Sequence, residues 1–368
     1  MRVLILTISA GQGHNKTARA MCDYFRSRQV EASIVDVYKY FNTALYKLVD
    51  KGYLLSTKYM PKTYGNIYRH IEKNDYRDKR FNSVQISSRI VARQFARYIS
   101  EKNPDVVIAT HIFAADLMSG FRKRGLIDVK TLGIITDFTV HPFWETADID
   151  YYVTPSELLG NQLAKKGIPA DKVLPFGIPI EEKFSRSMDK QAARKELGIE
   201  DKTTIFVITG SMGYGNVIKY IRQMDRLEQD FQIVCVCGNN KHLKEQVDKL
   251  HTHKKIYNFG FVNNVDVMMD AADYIVSKPG GLTVSEALAK GLPMILIDPI
   301  PGQEDRNFEF LLNNGLALGV TDTFPIDEAL YQLMQNPNRA QYMSHMVRQV
   351  GKPYACKQLG DFIIELGN

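Results

Sequence analysis

The sequence predicts an α/β protein built from two doubly wound, parallel-sheet domains. Three observations carry this. Apolar runs of three to five residues recur along the chain, most apolar on both faces, as strands covered by helices on both sides must be. Amphipathic stretches of helical period separate them, the βαβ pattern. The runs fall into two series of six on a chain of 368 residues, enough for two cores.

The first series reads Val3–Thr7, Ser33–Val37, Val106–Ala109, Leu132–Thr136, Tyr151–Val153 and Val173–Phe176. The second reads Thr204–Ile208, Ile233–Cys237, Ile256–Phe259, Tyr274–Ser277, Met294–Ile297 and Ala317–Val320. Gly177 and Pro179 interrupt the periodicity between them, so the boundary is set at 178/179. The expected domains are 1–178 and 179–349, with a C-terminal segment of about 350–368 returning to the first domain and ending in a helix over Asp361–Leu366.

Composition narrows the class. Hydrophobic residues make up 45% and charged residues 24%, which excludes a mostly disordered chain. The four cysteines, Cys22, Cys235, Cys237 and Cys356, form neither a disulfide framework nor a zinc pattern. Cys235 and Cys237 are expected on one face of a strand. Val3–Ile8 is too short for a signal peptide and no run of 18 apolar residues follows, so no membrane-spanning helix is expected.

The net charge of +6 is unevenly placed. Residues 39–102 hold 14 Lys/Arg against 5 Asp/Glu, a balance of +9 that leaves −3 for the rest. Eleven aromatics interleave with them, among them Tyr53, Tyr59, Tyr64 and Tyr68. Such a stretch suits anionic lipid headgroups, with Lys58, Lys62 and Arg69 as contacts. A solvated helical excursion whose aromatics pack on the parent domain is the other reading. No RNP or zinc-finger pattern supports nucleic acid.

Ligands of open α/β sheets bind beyond the carboxyl ends of the strands, and four such loops stand out. Ser9-Ala10-Gly11-Gln12-Gly13-His14 follows the first strand and opens a helix. Gly13 lets backbone approach a ligand, and His14 can take a proton from a hydroxyl at neutral pH or simply serve the helix start. Thr209–Gly215 offers Gly210, Ser211 and Gly213 to a diphosphate, though a structural turn explains them too. Phe261 and Val262 after the third strand of this series suit a flat base or plain packing. Ser277–Leu288 is the strongest: Gly280 and Gly281 start a helix whose free amides face an anion, with Thr283 beside them. Glu286, one turn in, can accept from both hydroxyls of a ribose. Gln303 and Asn307 share a helix face whose amides suit sugar hydroxyls.

The stretches AGQGHNKTA (10–18), TDFTVHPFW (136–144), GFVNNVDVMMDAADYIVSKPGGLTVSEALAKGLPMI (260–295) and PIPGQEDRN (299–307) resemble the glycosyltransferases that glycosylate diacylglycerol. These are the monogalactosyldiacylglycerol synthases and the processive diacylglycerol β-glucosyltransferases of glycosyltransferase family 28. The resemblance implies the glycosyltransferase B fold, two Rossmann-like domains with a cleft between them. It implies a UDP-hexose donor in the C-terminal domain and inversion without a metal or other cofactor. His14 stands where the family has its candidate base, with Asp137 or His141 the next to be considered. Glu286 matches the ribose-binding acid, and Gly280, Gly281 and Thr283 the phosphate loop. Gln303, Glu304 and Asn307 match hexose contacts, Phe261 and Val262 the uracil-binding strand end. Asp137, His141 and Trp144 fall on the acceptor side.

The expected function is therefore transfer of a hexose, glucose favoured over galactose, from a UDP-sugar to diacylglycerol or a glycosyl-diacylglycerol. The expected location is peripheral, on the cytoplasmic face of the membrane. A UDP-sugar epimerase of the same fold and a non-catalytic UDP-sugar sensor that binds a protein partner are the alternatives. The Asp148-Ile149-Asp150 triplet, a metal motif in another fold, precedes a strand and is read as coincidental.

Overall fold

The computed structural model describes residues 1–9, 12–41, 89–210, 213 and 215–367. These divide into two compact units: 1–182 with 300–303 and 354–368, and 183–299 with 304–353.

In the first unit, β1 (Arg2–Thr7) leads to α1 (Gln12–Ser27), β2 (Glu31–Asp36), α2 (Val37–Phe41), α3 (Arg89–Lys102), β3 (Val106–Ala109) and α4 (Ile112–Lys123). Then follow β4 (Lys130–Ile134), β5 (Tyr151–Val153), α5 (Gly160–Lys165) and β6 (Val173–Leu174). The strands form one parallel sheet in the order β2-β1-β3-β4-β5-β6. Its core joins Val3, Ile5, Val106, Ile108 and Ile134 to Met21 and Phe25 of α1.

The second unit contains α6 (Lys190–Leu197), β7 (Thr204–Ile208), α7 (Val217–Met224), β8 (Gln232–Val236), α8 (Lys241–Asp248) and β9 (Ile256–Phe259). It continues through α9 (Val265–Ala271), β10 (Tyr274–Ser277), α10 (Gly281–Ala289) and β11 (Met294–Leu296). The helix α11 (Gln303–Asn313) leads on to β12 (Ala317–Gly319), α12 (Ile326–Gln335) and α13 (Pro337–Val350). Its parallel sheet runs β12-β11-β10-β7-β8-β9. The last helix, α14 (Ala355–Leu366), lies in the first unit, where Leu359 and Ile363 enter the core and Tyr24 Oη donates to Asp361 at 2.5 Å.

All twelve expected strands are present, with local differences at their ends. β2 stops at Asp36 because the Asp36 carboxylate accepts from the Tyr38 and Lys39 amides at 3.1 and 3.2 Å, starting α2 where Val37 would have continued the strand. β4 runs 130–134, so Thr136 lies past its end. α14 begins six residues before the expected Asp361. Cys235 and Cys237 share a face, their Sγ atoms 3.9 Å apart. Asp150 accepts from the Thr131 amide at 2.7 Å and from Arg122 at 2.9 Å, stitching β4 to the start of β5. Both ends of the basic, aromatic segment are described. Tyr40 and Phe41 of α2 pack on Phe95 of α3, which is fully buried. At these ends, then, the segment's aromatics pack on one another, and Phe95 meets Phe121 of α4 edge-on. Among the described residues no helix is long and apolar enough to cross a membrane.

Gly133 of β4 is where the Trp144 ring meets the sheet. A Cβ there would lie 2.5 Å from Trp144 Cζ3 and 2.7 Å from Ile149 Cδ1. Gly133→Ala is therefore expected to cost about 1–3 kcal/mol through overpacking, read as a lower urea midpoint at unchanged slope.

Candidate functional site

In a doubly wound sheet the binding crevice forms where the strand order reverses, because the crossovers leave in opposite directions there. In the first sheet that point lies between β1 and β3. The residues just past these two strands meet.

His14, the third residue of α1, places Nδ1 2.7 Å from the Thr110 carbonyl oxygen and 3.2 Å from Thr136 Oγ1. A carbonyl only accepts, so Nδ1 carries the proton and neutral His14 keeps its lone pair on Nε2. The loop that delivers it is tied down. Asn15 Nδ2 donates to Ser9 Oγ at 2.9 Å, Thr7 Oγ1 to Asn15 Oδ1 at 3.0 Å, and Ser9 Oγ to Asp36. Loss of hydration lowers the His14 pKa below its ordinary 6.5, against the opposing charge of Asp137 and the bond to Thr110.

Beyond β3 stands His111, which the motif reading passed over. It caps α4, its Nδ1 accepting from the Phe113 amide at 3.1 Å. Its ring meets His14 edge-on, centroids 4.6 Å apart at 73°. The strand-end rule was the available signal, since His111 follows β3 as His14 follows β1.

His141 caps a short 3₁₀ turn (Pro142–Glu145) in the same way, accepting from the Phe143 amide at 3.2 Å. Burial, assisted by the charge of Lys166, lowers its pKa to about 4. Together with His14, His111, Thr136 and Asp137 it lines a hollow of about 20 Å³, room for one water-sized group. Trp144 edges the hollow but is 4% exposed, so most of its ring is core. Gln303, grouped with this unit, also borders the hollow.

The second sheet reverses between β7 and β10. Past β7, Gly213 has φ +58° and its Cβ would lie 2.2 Å from the Cys237 carbonyl, so only glycine fits. Asn240 Nδ2 donates to Gly213 O at 2.9 Å. Asp298, in a left-handed conformation (φ +43°), accepts from the Asn216 amide at 2.9 Å and from Tyr220 Oη at 2.5 Å. Asn240 and Asp298 hold this loop and carry no motif of their own. Thr209 Oγ1 is buried and has no hydrogen-bond partner among the described residues.

Past β10, Gly280 is the N-cap of α10 and supplies no side-chain hydrogen bond, so the first amides of the helix, at Gly281–Thr283, are not capped. Glu286, one turn in, is 4% exposed. Glu304 Oε1 would be 3.7 Å from a Cβ at Gly280, placing the carboxylate beside the loop. Asn307 is wholly buried and donates to the Pro279 carbonyl at 2.9 Å, so it lies beneath this loop and braces it. Phe261, past β9, is 57% exposed; Val262 beside it is half-buried. Gly13 is half-buried at the start of α1. Ser211, Lys58, Lys62 and Arg69 lie outside the described residues.

Comparison with known proteins matches residues 14–180 to the monogalactosyldiacylglycerol (MGDG) synthase family model and residues 204–359 to the glycosyltransferase family 28 C-terminal domain. The chain is 27% identical over 368 residues to a processive diacylglycerol beta-glucosyltransferase of Bacillus pumilus, covering 99% of this chain and 94% of that one. MurG of Acinetobacter baumannii aligns with a TM-score of 0.64 at 14% identity, over 99% of each chain. UDP-GlcNAc 2-epimerase of Neisseria meningitidis, bound to UDP-GlcNAc, aligns at 0.60 and 15% identity, over 99% of this chain and 100% of that one. With the two six-stranded parallel sheets, these neighbours establish the glycosyltransferase B fold.

His141 yields a stability prediction with a definite sign. Its folded pKa of about 4 lies below the unfolded 6.5, so between these values the unfolded chain binds more protons. Stability should therefore fall as pH drops from about 6.5 to about 4. His141→Asn keeps a capping oxygen but cannot titrate, so its urea midpoint should vary less across that window than the wild type's.

Proposed function

We propose that this chain, which matches the MGDG synthase model in its first half and the glycosyltransferase family 28 C-terminal domain in its second, transfers a hexose from a UDP-sugar to diacylglycerol or a glycosyl-diacylglycerol at a membrane surface. The observation that carries the chemistry is the bond from His14 Nδ1 to the Thr110 carbonyl, which leaves Nε2 to take a proton in a hollow fit for one hydroxyl.

The reaction is a single displacement with inversion. The acceptor hydroxyl oxygen attacks the anomeric carbon, the bond to the β-phosphate oxygen breaks, and UDP leaves with the electron pair. His14 Nε2 receives the hydroxyl proton, a role worth about 10²–10⁴ in rate. Lowered basicity keeps His14 unprotonated at neutral pH, ready for that step.

On the donor side, the uncapped amides at Gly281–Thr283 and the Gly210–Gly213 loop stabilise the charge growing on the diphosphate, so this reading assigns no step to a metal. Glu286 accepts from the ribose hydroxyls, Phe261 and Val262 flank uracil, and Gln303 and Glu304 contact the hexose. Glucose is favoured as the hexose, following the processive relatives. Asp137 balances the imidazolium formed, and its charge already favours protonated His14.

The acceptor is a lipid, and the +9 of residues 39–102 supports docking on the cytoplasmic leaflet, whose surface is negative. The protein is then peripheral.

Product analysis with UDP-glucose and UDP-galactose side by side, with and without EDTA, tests the reading. A glycolipid is expected, more of it from UDP-glucose, and undiminished by EDTA. An epimerised nucleotide sugar or no turnover would replace it with the epimerase or the sensor. His14→Ala is expected to abolish transfer while leaving UDP affinity by calorimetry near wild type. Near wild-type turnover would move the base to Asp137 or His141.

Docking has its own test. Binding to vesicles should rise with anionic lipid and fall with salt, each basic contact being worth about 1 kcal/mol. Neutralising Lys58, Lys62 and Arg69 together should lower activity on vesicles more than on detergent-dispersed acceptor. Equal loss in both assays would place docking elsewhere.

A further inference from the structure

Helix N-caps are ordinarily Asn, Asp, Ser or Thr, whose short side chains reach the N2 amide at little cost. α4 is capped by His111 instead, a larger side chain, 9% exposed and set at the switch point of the sheet. The cap settles its tautomer. Nδ1 accepts from the Phe113 amide, so in the folded state the single ring proton of neutral His111 sits on Nε2. His14 has the reverse arrangement, with its proton on Nδ1 and the Thr110 carbonyl as partner.

Thr110 and His111 are consecutive, so one short stretch past β3 supplies both the carbonyl that orients His14 and the ring packed against it. The two imidazoles meet at 4.6 Å and 73°, and Phe113 backs His111 at 5.1 Å. Protonating His111 at Nδ1 would break the cap, and burial and the neighbouring imidazoles of His14 and His141 act in the same direction. The ring therefore stays neutral beside a base that becomes cationic in turnover.

We propose that His111 is a positioning residue for His14: its capped, neutral ring keeps water from one side of the base and holds it as the Nε2 acceptor. This rests on the glycosyl-transfer reading for its consequence in rate, but not for its consequence in the ionisation of His14. The groups facing the pair are Asp137 and His141 from beyond β4, and Lys166 from the end of α5, which acts on His141.

His111→Asn separates positioning from capping, because Asn is the better cap and lacks the ring. The melting temperature is expected to hold or rise. Transfer should lose about 10- to 100-fold in kcat, the scale of a misplaced catalytic group, with KM for the UDP-sugar unchanged. Water admitted to His14 should raise its titration toward 6.5, seen by ¹⁵N-histidine NMR, and move the acid limb of kcat/KM to higher pH. His111→Phe, which refills the space without capping, should return the His14 titration toward the wild-type value. A His111→Asn enzyme within twofold of wild-type kcat and with His14 titrating unchanged would make His111 a cap and nothing more. Should the wild type form no glycolipid, the transfer reading falls, while the His14 titrations in the three proteins still decide the role of His111.

Discussion

Parallel strand pairing is the constraint on which everything else here rests. A parallel strand cannot return by a tight turn, so each must be followed by a crossover, and all carboxyl ends emerge on one edge of the sheet. In the first unit that edge collects Ser9, Thr110 and Thr136 from strands far apart in sequence. The site is a by-product of pairing register. Strand β1 aligns Leu6 with Ala109 of β3, so the next residues of each strand meet just past the edge. The Thr110 amide then donates to the Leu6 carbonyl at 3.0 Å, leaving the Thr110 carbonyl for His14.

A buried imidazole is useful only if its proton is placed, and backbone groups do the placing throughout this unit. His14 gives its Nδ1 proton to a carbonyl, whereas His111 and His141 use Nδ1 to accept from amides. Three rings within one small hollow would repel one another if charged, and desolvation keeps them neutral. The charge of Asp137 and the bond to the Thr110 carbonyl both favour charge on His14, against the desolvation that lowers its pKa.

The second unit solves a different problem, that of presenting backbone amides to an anion. Side chains that would block the approach are absent: Gly280 caps α10 without a side chain, and Gly213 sits where any Cβ would strike the Cys237 carbonyl. The loops are braced from below, Asn307 holding the Pro279 turn and Asp298 holding the segment after Gly215. Asp298 accepts a left-handed backbone in doing so, a conformation Asp tolerates better than most residues.

The sequence by itself determined the twelve strands, because buried parallel strands must be apolar on both faces and this pattern is local. It likewise determined the strand-end loops, whose glycines are demanded by close approach, and the motifs in those loops that resemble the diacylglycerol glycosyltransferases. Strand ends were less legible: Asp36 stops β2 through hydrogen bonds to two amides that periodicity does not register. Only the tertiary structure decided which residues act together. His111 carries no motif, and its relation to His14 exists only because β1 and β3 are neighbours in the sheet. Asn307 shares a helix face with Gln303, as its spacing requires, and only the fold brings its amide to the Pro279 carbonyl, which it braces. Proton placement and desolvation depend on atoms brought from elsewhere in the chain, and local spacing carries no record of them.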